Sequence, residues 1–423
     1  MSTIILGAGL SGLTIADSLK DDILILEKED QPGGLCRSFS FKGVPYDIGP
    51  HILFSKDQSS LEYLLSLCKT GRLKRSNRIF HKGRFIKYPF ENDLGSLPET
   101  DRDYCLRTFL DNPHENKSAG NMLEFFLKTF GEGITELYLR PYNEKLWKFD
   151  PSLMDMQMVE RIPKPPKEDV IKSAKGIPTE GYLHQLHFSY PSKGGIASII
   201  RSITKKSAAR IITGVKVFSV LGGPGKWEVR TSEGLFKADR LINCMPIHEF
   251  FKVFNPAPDL LSTVKALRYN SIYIAALHVK KHTMGKNFAL NLADKNVVFH
   301  RLSHVGFLGK AYNPEKGSIL LAEITYPPDK CPDPGKTLEK VVEGLAHTGL
   351  AERRDILDAE IRDFKYAYVI YDLQHRKNTD TVLDYLRQKG VLLCGRFAEF
   401  EYINMDAAAG RSMKLAEVLN AGS

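Results

Sequence analysis

Three glycines and one carboxylate near the N-terminus have the types and the spacing that binding a dinucleotide requires. Residues 4–6 are apolar and lead into G-x-G-x-x-G, whose glycines are Gly7, Gly9 and Gly12. In this motif the first glycine allows a tight turn, the second lets the backbone approach a pyrophosphate, and the third lets a helix pack closely. A second apolar run, residues 23–26, ends at Glu27, where a ribose diol would bind. The pattern predicts a strand–turn–helix–strand unit that presents helical N–H groups to phosphates.

The residues after Glu27 distinguish FAD from NAD as the cofactor. Gly33, Gly34 and Arg37 follow the acid, and Gly49 precedes His51 in a second glycine-containing segment. The paired glycines permit positive φ angles beside a cofactor, and the arginine can pair with a phosphate. This extension resembles that of the amine-oxidase-like FAD superfamily. The alternative is a surface Gly–Gly turn with a solvated arginine.

Two further segments are predicted to contact this cofactor. In residues 395–406 a strand ends at Gly395 and Arg396, and a helix begins near Met405 and Asp406. That helix N-terminus can face the flavin where negative charge develops on reduction, and Arg396 can reach the pyrophosphate. A capping role alone would also account for Asp406. Residues 212–217 resemble the superfamily strand that clamps the adenine, which predicts Val217 beside it.

Four motifs make the resemblance more specific. Residues 49–55, 141–147, 299–301 and 395–406 resemble segments of UDP-galactopyranose mutases, including a Tyr-Asn-x-Lys-x-Trp motif and an aromatic-x-Arg motif. They reach from end to end of the chain, with unmatched stretches between them. In that family the N5 atom of reduced FAD attacks the anomeric carbon of a nucleotide sugar, and the ring contracts without net redox change.

The resemblance assigns roles to five residues of this chain. Arg301 and Tyr402 would contact the substrate diphosphate, His51 would lie beside flavin N5, and these three form the predicted catalytic set. Tyr142 and Trp147 would line the uridine side. Taken alone, Arg301 could equally be a surface cation, Trp147 a core aromatic and His51 a structural residue of its turn.

Three positions depart from the family pattern. Pro165 and Ser189 stand where different branches of the family carry a second arginine, and Asn404 stands where many members have aspartate. Lys164 or Lys193 could supply a point charge instead, without the bidentate fork of arginine; Lys193 is the one included in the predicted substrate site. The identity of the sugar and the nucleotide is therefore left open.

The arrangement of elements predicts an α/β fold with a discontinuous Rossmann-like FAD-binding domain, an inserted helical lobe and an antiparallel β-sheet substrate domain. Strands are expected at residues 211–220, 227–231, 240–244, 364–371 and 391–394, and a last helix at 406–419. A hairpin turning at residues 82–83 and a loop at 162–167 are also expected. The predicted domains are listed by range: 1–55, 193–252 and 388–423 for FAD; 56–192 for the mainly helical lobe; 253–387 for the sheet.

Composition narrows the class of protein. The 423-residue chain has 59 Lys and Arg against 50 Asp and Glu, an excess that favours an anionic ligand or reflects a solvated basic surface. No nucleic-acid motif, apolar run long enough for a membrane span or signal peptide is evident. The six scattered cysteines form no metal-ligand pattern, so a reduced cytoplasmic protein without metal is expected.

The main alternative is a redox enzyme of the amine-oxidase or protoporphyrinogen-oxidase type. Residues 190–196 resemble the Tyr-Pro-x-x-Gly-Gly segment of that broader group. A mutase predicts a polar, cationic site around Arg301 and Tyr402, whereas an oxidase predicts an apolar or aromatic pocket. NAD(P)H or another reductant would have to reduce the flavin of a mutase, and a homodimer is compatible with either enzyme. Nothing in the sequence favours a non-catalytic scaffold.

Overall fold

A computed structural model describes residues 1–162, 164–181, 186–256 and 258–422. The strands are β1 Ser2–Leu6, β2 Asp22–Leu26, β3 Ser38–Phe41, β4 Val44–Asp47, β5 Thr70–Lys74, β6 Asn77–His81, β7 Arg84–Lys87, β8 His187–Pro191, β9 Arg210–Ile212, β10 Val217–Leu221, β11 Trp227–Thr231, β12 Gly234–Ala238, β13 Arg240–Asn243, β14 Tyr269–Val279, β15 Ala289–Leu292, β16 Arg301–His304, β17 Ser318–Tyr326, β18 Ile356–Val369 and β19 Leu392–Leu393. The α-helices are α1 Leu10–Ser18, α2 Gln58–Ser66, α3 Glu99–Leu110, α4 Met122–Ile134, α5 Arg140–Trp147, α6 Lys167–Ala174, α7 Ala197–Lys206, α8 Ile247–Phe254, α9 Pro258–Ala266, α10 Pro334–Thr348, α11 His375–Gln388 and α12 Met405–Ala421.

A five-stranded parallel sheet carries the predicted dinucleotide unit. Its order is β19-β13-β1-β2-β9, so its strands come from the start, the middle and the end of the chain. The inner strands β1 and β2 are mostly buried and contain the apolar runs 4–6 and 23–26, as expected of a parallel sheet covered on both faces. Helix α1 packs against α12 on one of these faces. The predicted Rossmann-like α/β architecture is confirmed.

The strand predicted at residues 211–220 is two strands in the structure. Gly214 has a φ of +71° and separates β9, which joins the parallel sheet, from β10, which joins a three-stranded sheet of order β10-β11-β12. A glycine at a positive φ breaks the extended run because other residues avoid that region. Strand β12 was not predicted.

A seven-stranded sheet of order β18-β14-β17-β16-β15-β6-β7 forms the second layer. The predicted hairpin is confirmed as β6–β7, and Lys82 and Gly83 both have positive φ at its turn, as a type I′ turn requires. The sheet is mixed and not purely antiparallel as predicted, because β6 pairs in parallel with β15. Two strands of the sheet thus come from the region predicted to be a separate helical lobe.

The remaining part of that region is helical and rich in aromatic side chains. Helices α3 and α4 pack closely where α4 kinks at Gly131, whose φ is +74° and whose Cβ, if present, would lie 2.4 Å from the Thr108 carbonyl oxygen. Residues 164–166 have no regular structure, in agreement with the predicted loop, and Pro163 lies outside the described residues.

Helix α12 begins one residue earlier than predicted, and its N-cap residue is Asn404, not Asp406. Asp406 lies in the first turn, where its Oδ2 accepts a 2.5 Å hydrogen bond from the Ser55 hydroxyl. The capping alternative for Asp406 is therefore wrong, and the carboxylate instead ties the helix to the segment after β4. Within the described ranges, no helix has the length and apolar character that crossing a membrane requires.

Candidate functional site

A cavity of about 240 Å³ lies against one face of the seven-stranded sheet. Residues 48–54 line one side, the inner face of the seven-stranded sheet forms the floor, and residues 402–406 close the far side. Its lining includes seven residues that the sequence predicts to belong to the site: Gly49, His51, Arg301, Arg396, Tyr402, Met405 and Asp406. These seven residues come from three separated stretches of the chain, 49–51, 301 and 396–406, and meet at one place.

The glycine turn after β1 has room for a ligand at one position and none at another. A Cβ on Gly12 would lie 2.2 Å from the Gly7 carbonyl oxygen, so the close helix–strand packing needs a glycine there. Gly7 itself has a φ of +100°. By contrast, a Cβ on Gly9 would meet nothing within 4 Å. The turn leaves open space in front of Gly9, where the motif requires a pyrophosphate.

Glu27 is fixed at the end of β2 by backbone donors. The carboxylate is buried and accepts hydrogen bonds from the N–H groups of Ala8, at 2.8 Å, and Glu29, at 2.9 Å. The Glu27 carbonyl accepts from the N–H of Val215, which brings the segment leading into β10 alongside. Val217 is the first residue of β10 and pairs with Thr231. Its predicted contact with adenine stays a prediction.

The paired glycines have the backbone that the sequence predicts, whereas Arg37 already has partners. Gly33 and Gly34 have φ angles of +129° and +54°, and the Gly33 N–H donates to the Ala8 carbonyl. The Arg37 guanidinium donates to the Gly34 carbonyl and, at 2.9 Å, to Glu29. Any phosphate contact from Arg37 must therefore be shared with Glu29.

Arg301 forms a bidentate ion pair with Glu323 on the neighbouring strand. Its Nε and Nη2 atoms donate to the two carboxylate oxygens at 2.5 and 2.7 Å, and Glu323 is fully buried. Although burial opposes the charge on Arg301, this carboxylate raises the pKa of the guanidinium. A Cβ on Gly49 would lie 3.1 Å from a Glu323 oxygen, so a glycine allows that loop to cover the pair. Nη1 of Arg301 has no hydrogen-bond partner among the residues that the structure describes, so it can donate to a ligand.

Arg396 has its side chain oriented by backbone carbonyls. It donates to the Ile403 carbonyl at 2.8 and 2.5 Å and to the Ala367 carbonyl at 3.3 Å. Its guanidinium lies 4.8 Å from the centre of the Tyr402 ring, a cation–π distance. The preceding Gly395 has a φ of +115° and donates its N–H to Glu399. The Gly-Arg sequence thus fixes a cation at the cavity wall.

His51 is a neutral side chain in this site. Burial and the positive charges of Arg396 and Arg301 lower its pKa to about 4, and Nδ1 makes a 2.9 Å hydrogen bond with the Gly49 carbonyl. Because that carbonyl can only accept, the proton of the neutral ring is on Nδ1. His51 therefore presents an unprotonated Nε2 above about pH 5.

The low pKa of His51 predicts that acid weakens the fold. An unfolded histidine binds its proton near pH 6.5, whereas the folded one binds it near pH 4, so its contribution to stability is present above pH 6.5 and is lost as the pH falls toward 4. Between pH 7.5 and 4.5, the unfolding free energy of His51→Gln is expected to fall by about 2–3 kcal/mol less than that of wild type. Denaturant unfolding at both pH values measures this. His187→Gln, at an exposed histidine in β8, is the control; equal acid sensitivity of His51→Gln and wild type would contradict the prediction.

Three predicted substrate residues do not line the cavity. Trp147 is buried and donates its indole N–H to Asn143 at 2.8 Å, while its edge meets the Tyr402 ring. Tyr142 stacks on the ring of Tyr138. Lys193 is exposed on the loop between β8 and α7. Trp147 thus packs against Tyr402, and the substrate contacts predicted for all three residues stay predictions.

Pro165 and Ser189, the two positions where the resemblance would place a second arginine, have no cation beside them that lines the cavity. Ser189 pairs with Leu53 and with Arg72 in a two-stranded sheet. The Lys164 ammonium lies over the Phe125 ring at 5.7 Å, and neither lysine nor Pro165 lines the cavity.

Sequence reasoning missed several residues of the site. Glu323 is the clearest, and a signal was available, because it is the sole carboxylate in the largely apolar and buried strand β17. Arg75, Asn77, Ser303 and Tyr368 also line the cavity and belong to none of the quoted motifs. A single polar residue does not indicate from the sequence which cavity it lines.

Comparison with known proteins bears on the fold over the whole chain and on the N-terminal unit. The family model of the NAD(P)-binding Rossmann-like domain matches residues 5–66. A crystal structure of reduced UDP-galactopyranose mutase superposes with a TM-score of 0.92 at 22% identity, covering 100% of this chain and 94% of that one. A putative protoporphyrinogen oxidase from Exiguobacterium sp. 255-15 gives a TM-score of 0.75 at 13% identity, covering 100% and 99%.

Curated relatives share a shorter part of the sequence. All-trans-retinol 13,14-reductase of Danio rerio is 24% identical over 152 residues, which is 33% of this chain and 24% of that protein. Phytoene desaturase (lycopene-forming) of Pantoea ananas is 28% identical over 148 residues, 33% of this chain and 29% of that protein. The chain therefore spans about a quarter of the length of these relatives. Over its whole length it has the fold of UDP-galactopyranose mutase, with a Rossmann-like dinucleotide-binding unit at its N-terminus.

Proposed function

We propose that this protein is an FAD-dependent nucleotide-sugar pyranose/furanose mutase. The observation that carries the proposal is the meeting of Arg301, Arg396 and Tyr402 in one cavity with the N-terminus of α12. Three arginines line this cavity and Asp406 is its lining carboxylate, so the lining attracts an anion such as a diphosphate. An amine or a carotenoid-like substrate would instead favour an apolar or aromatic lining.

The residues fit FAD as the cofactor. The open space at Gly9 and the N–H groups that begin α1 suit a pyrophosphate. Glu27 is held at the end of β2, where the motif places a ribose. When bound in its reduced form, the flavin supplies a nucleophilic N5 for attack at the anomeric carbon of the sugar.

The chain's own residues would bind and retain the leaving nucleotide. Nη1 of Arg301 donates to a phosphate oxygen while Glu323 holds the guanidinium plane in place. The hydroxyl of Tyr402 donates to the same diphosphate, and its ring is held between Arg396 and the edge of Trp147. Holding the diphosphate beside the sugar allows it to return after the ring has reclosed. The neutral His51 adds no charge that would repel the developing positive charge on the sugar.

We expect the purified protein to be yellow and to carry non-covalent FAD. The glycine turn, Glu27 and the Gly33–Gly34 pair motivate this expectation, and no flavinylation motif is recognisable in the sequence. Acid precipitation should release the flavin into the supernatant, where chromatography and absorbance identify it. A colourless protein that binds NAD would contradict the cofactor assignment.

A turnover assay tests the function itself. The reduced protein, prepared with dithionite, should convert a nucleoside-diphosphate sugar between its pyranose and furanose forms, and the oxidised protein should not. No oxidant should be consumed in proportion to product. The two curated relatives favour the second candidate, an FAD-dependent oxidoreductase. Stoichiometric use of an electron acceptor with an amine or an unsaturated apolar substrate, and no reaction with any nucleotide sugar, would establish that candidate instead.

A further inference from the structure

A second cavity, of about 480 Å³, lies at the edge of the seven-stranded sheet, where β7 is the outermost strand. Arg78 of β6 and Lys87 of β7 line it, together with residues of the segments 92–96 and 173–178. It shares no lining residue with the cavity that contains Arg301. Consecutive residues of a strand point to opposite faces of the sheet, and Asn77 lines the first cavity whereas Arg78 lines the second. The two cavities are therefore separate sites.

Arg78 brings a positive charge to this cavity that no acidic side chain matches. It is half-buried, and over the described ranges of the chain its guanidinium forms no hydrogen bond or ion pair. It stands directly opposite Lys87 in the β6–β7 pairing, an arrangement in which two like charges are destabilising. The Lys87 ammonium pairs with Glu180 at 2.8 Å and donates to the Thr179 carbonyl. The charge of Arg78 is the one that a bound anion would compensate.

Other lining residues supply hydrogen-bond acceptors. Asn92 is 3% exposed, and its Oδ1 has no hydrogen-bond partner among the described residues, while its Nδ2 donates to the Thr179 hydroxyl at 2.7 Å. The Asp93 carboxylate accepts from the Lys87 N–H at 2.6 Å and from the Ser96 hydroxyl at 2.8 Å. A buried acceptor without a donor is unfavourable, so it is retained where the O–H of a ligand or of water satisfies it. The cavity thus offers a cation to an anion and acceptors to hydroxyl groups.

The two segments that form the walls are held together by direct contacts. A Cβ on Gly95 would lie 2.8 Å from the Cα of Gly176, so a glycine allows the segments to touch. The Ser173 hydroxyl donates to the Glu91 carbonyl at 2.6 Å. By contrast, a Cβ on Gly176 would meet nothing within 4 Å, so there is open space beside this residue. A site that is formed in advance loses little conformational entropy when a ligand binds.

We propose that this cavity binds a sugar monophosphate, as a ligand separate from the substrate of the Arg301 site. The phosphate accepts charged hydrogen bonds from the planar fork of Arg78, and the sugar hydroxyls donate to Asn92 Oδ1 and to Asp93. A bare sugar would leave the charge of Arg78 unused, and inorganic phosphate would leave the buried acceptor unused. The volume is that of a small-molecule site. The inference goes beyond the proposed function and does not depend on it.

Binding of matched probes to the purified protein tests this. Glucose 1-phosphate, galactose 1-phosphate, glucose and inorganic phosphate are titrated by calorimetry at fixed ionic strength. Wild type should bind at least one of the two sugar phosphates about ten-fold or more tightly than inorganic phosphate, and should not bind glucose. Arg78→Gln should weaken that sugar phosphate about ten- to hundred-fold, the value of one or two charged hydrogen bonds. Arg78→Lys should retain part of the affinity, because lysine has the charge without the fork.

Three controls separate binding here from folding defects and from binding in the first cavity. Arg78→Gln breaks no hydrogen bond or ion pair in the part of the chain that the structure describes, so its thermal unfolding should match that of wild type. Arg72→Gln removes the same charge from an exposed side chain of β5 and should change nothing. The double variant Arg301→Ala/Glu323→Gln removes the buried ion pair of the first cavity and should bind the sugar phosphate as wild type does.

Three results would overturn the inference and leave the mutase proposal standing. Loss of sugar-phosphate binding in the double variant, whatever Arg78→Gln does, would assign the ligand to the first cavity. Equal affinity for inorganic phosphate and both sugar phosphates would show that the acceptors of this cavity recognise no sugar. Absence of binding by either sugar phosphate, or unchanged binding in Arg78→Gln, would show that Arg78 holds no such ligand.

Discussion

Replacing Arg301 with alanine is expected to weaken binding of the nucleotide-sugar substrate about ten- to hundred-fold and to lower turnover by at least as much. The guanidinium donates to the diphosphate through Nη1, and the diphosphate must stay close enough to return to the sugar. FAD content should not change, because Arg301 is on the floor of the cavity and not at the glycine turn. Calorimetric titration with UDP and steady-state turnover of the reduced protein measure the two effects.

The same substitution leaves the buried Glu323 carboxylate without its partner. Removing one member of a buried ion pair costs about 3 kcal/mol or more of unfolding free energy. A loss of activity in Arg301→Ala could therefore reflect a damaged fold. The double variant Arg301→Ala/Glu323→Gln separates the two causes, since it removes both charges and should recover most of the stability. It should not recover substrate binding.

Two milder variants rank the contributions of Arg301 and Tyr402 to substrate binding. Arg301→Lys should recover part of the binding, because lysine offers a point charge without the planar fork that pairs with both oxygens of Glu323. Tyr402→Phe removes a single hydroxyl and should show a smaller loss in the same direction. If Arg301→Ala keeps full affinity for every nucleotide tried and instead loses activity on an amine or an apolar substrate, the oxidoreductase replaces the mutase.

The sequence predicts those parts of the site whose residues are close together in the chain. The glycine turn, Glu27 and the positive φ angles of Gly33 and Gly34 follow from spacing within the first 34 residues, and the structure has each of them. The same is true of the β6–β7 hairpin, because residues 82 and 83 alone decide its turn. Local backbone chemistry is sufficient in these cases.

Pairing between distant strands is what the sequence does not predict. The parallel contact of β6 with β15 joins residues about two hundred positions apart, and it converts the expected antiparallel sheet into a mixed one. The Arg301–Glu323 pair depends on the register of β16 against β17. The capping role considered for Asp406 was wrong for the same reason, since Ser55, its partner, is on a distant segment.

A matched pair of glycine substitutions is expected to separate cofactor binding from folding. Gly9 has a φ of −74° and a ψ of 179°, which alanine adopts readily, and a Cβ there meets no protein atom within 4 Å. Gly9→Ala should leave the unfolding free energy of the apoprotein unchanged within about 0.5 kcal/mol. The added methyl group would occupy the space in front of the turn, so FAD affinity should fall at least about ten-fold, because the pyrophosphate could no longer approach the backbone.

Gly12→Ala should damage both properties. Its Cβ would lie 2.2 Å from the Gly7 carbonyl oxygen, which is backbone and cannot rotate away, so α1 must move off the sheet. Overpacking of this kind costs about 1–3 kcal/mol, and the shifted helix also withdraws its N–H groups from the phosphates. Urea unfolding of the two apoproteins gives their unfolding free energies, and FAD titration gives the FAD affinity of each variant. If Gly9→Ala binds FAD as tightly as wild type does, the pyrophosphate does not lie at this turn, and the assignment of Gly7, Gly9 and Gly12 to the cofactor fails whatever Gly12→Ala does.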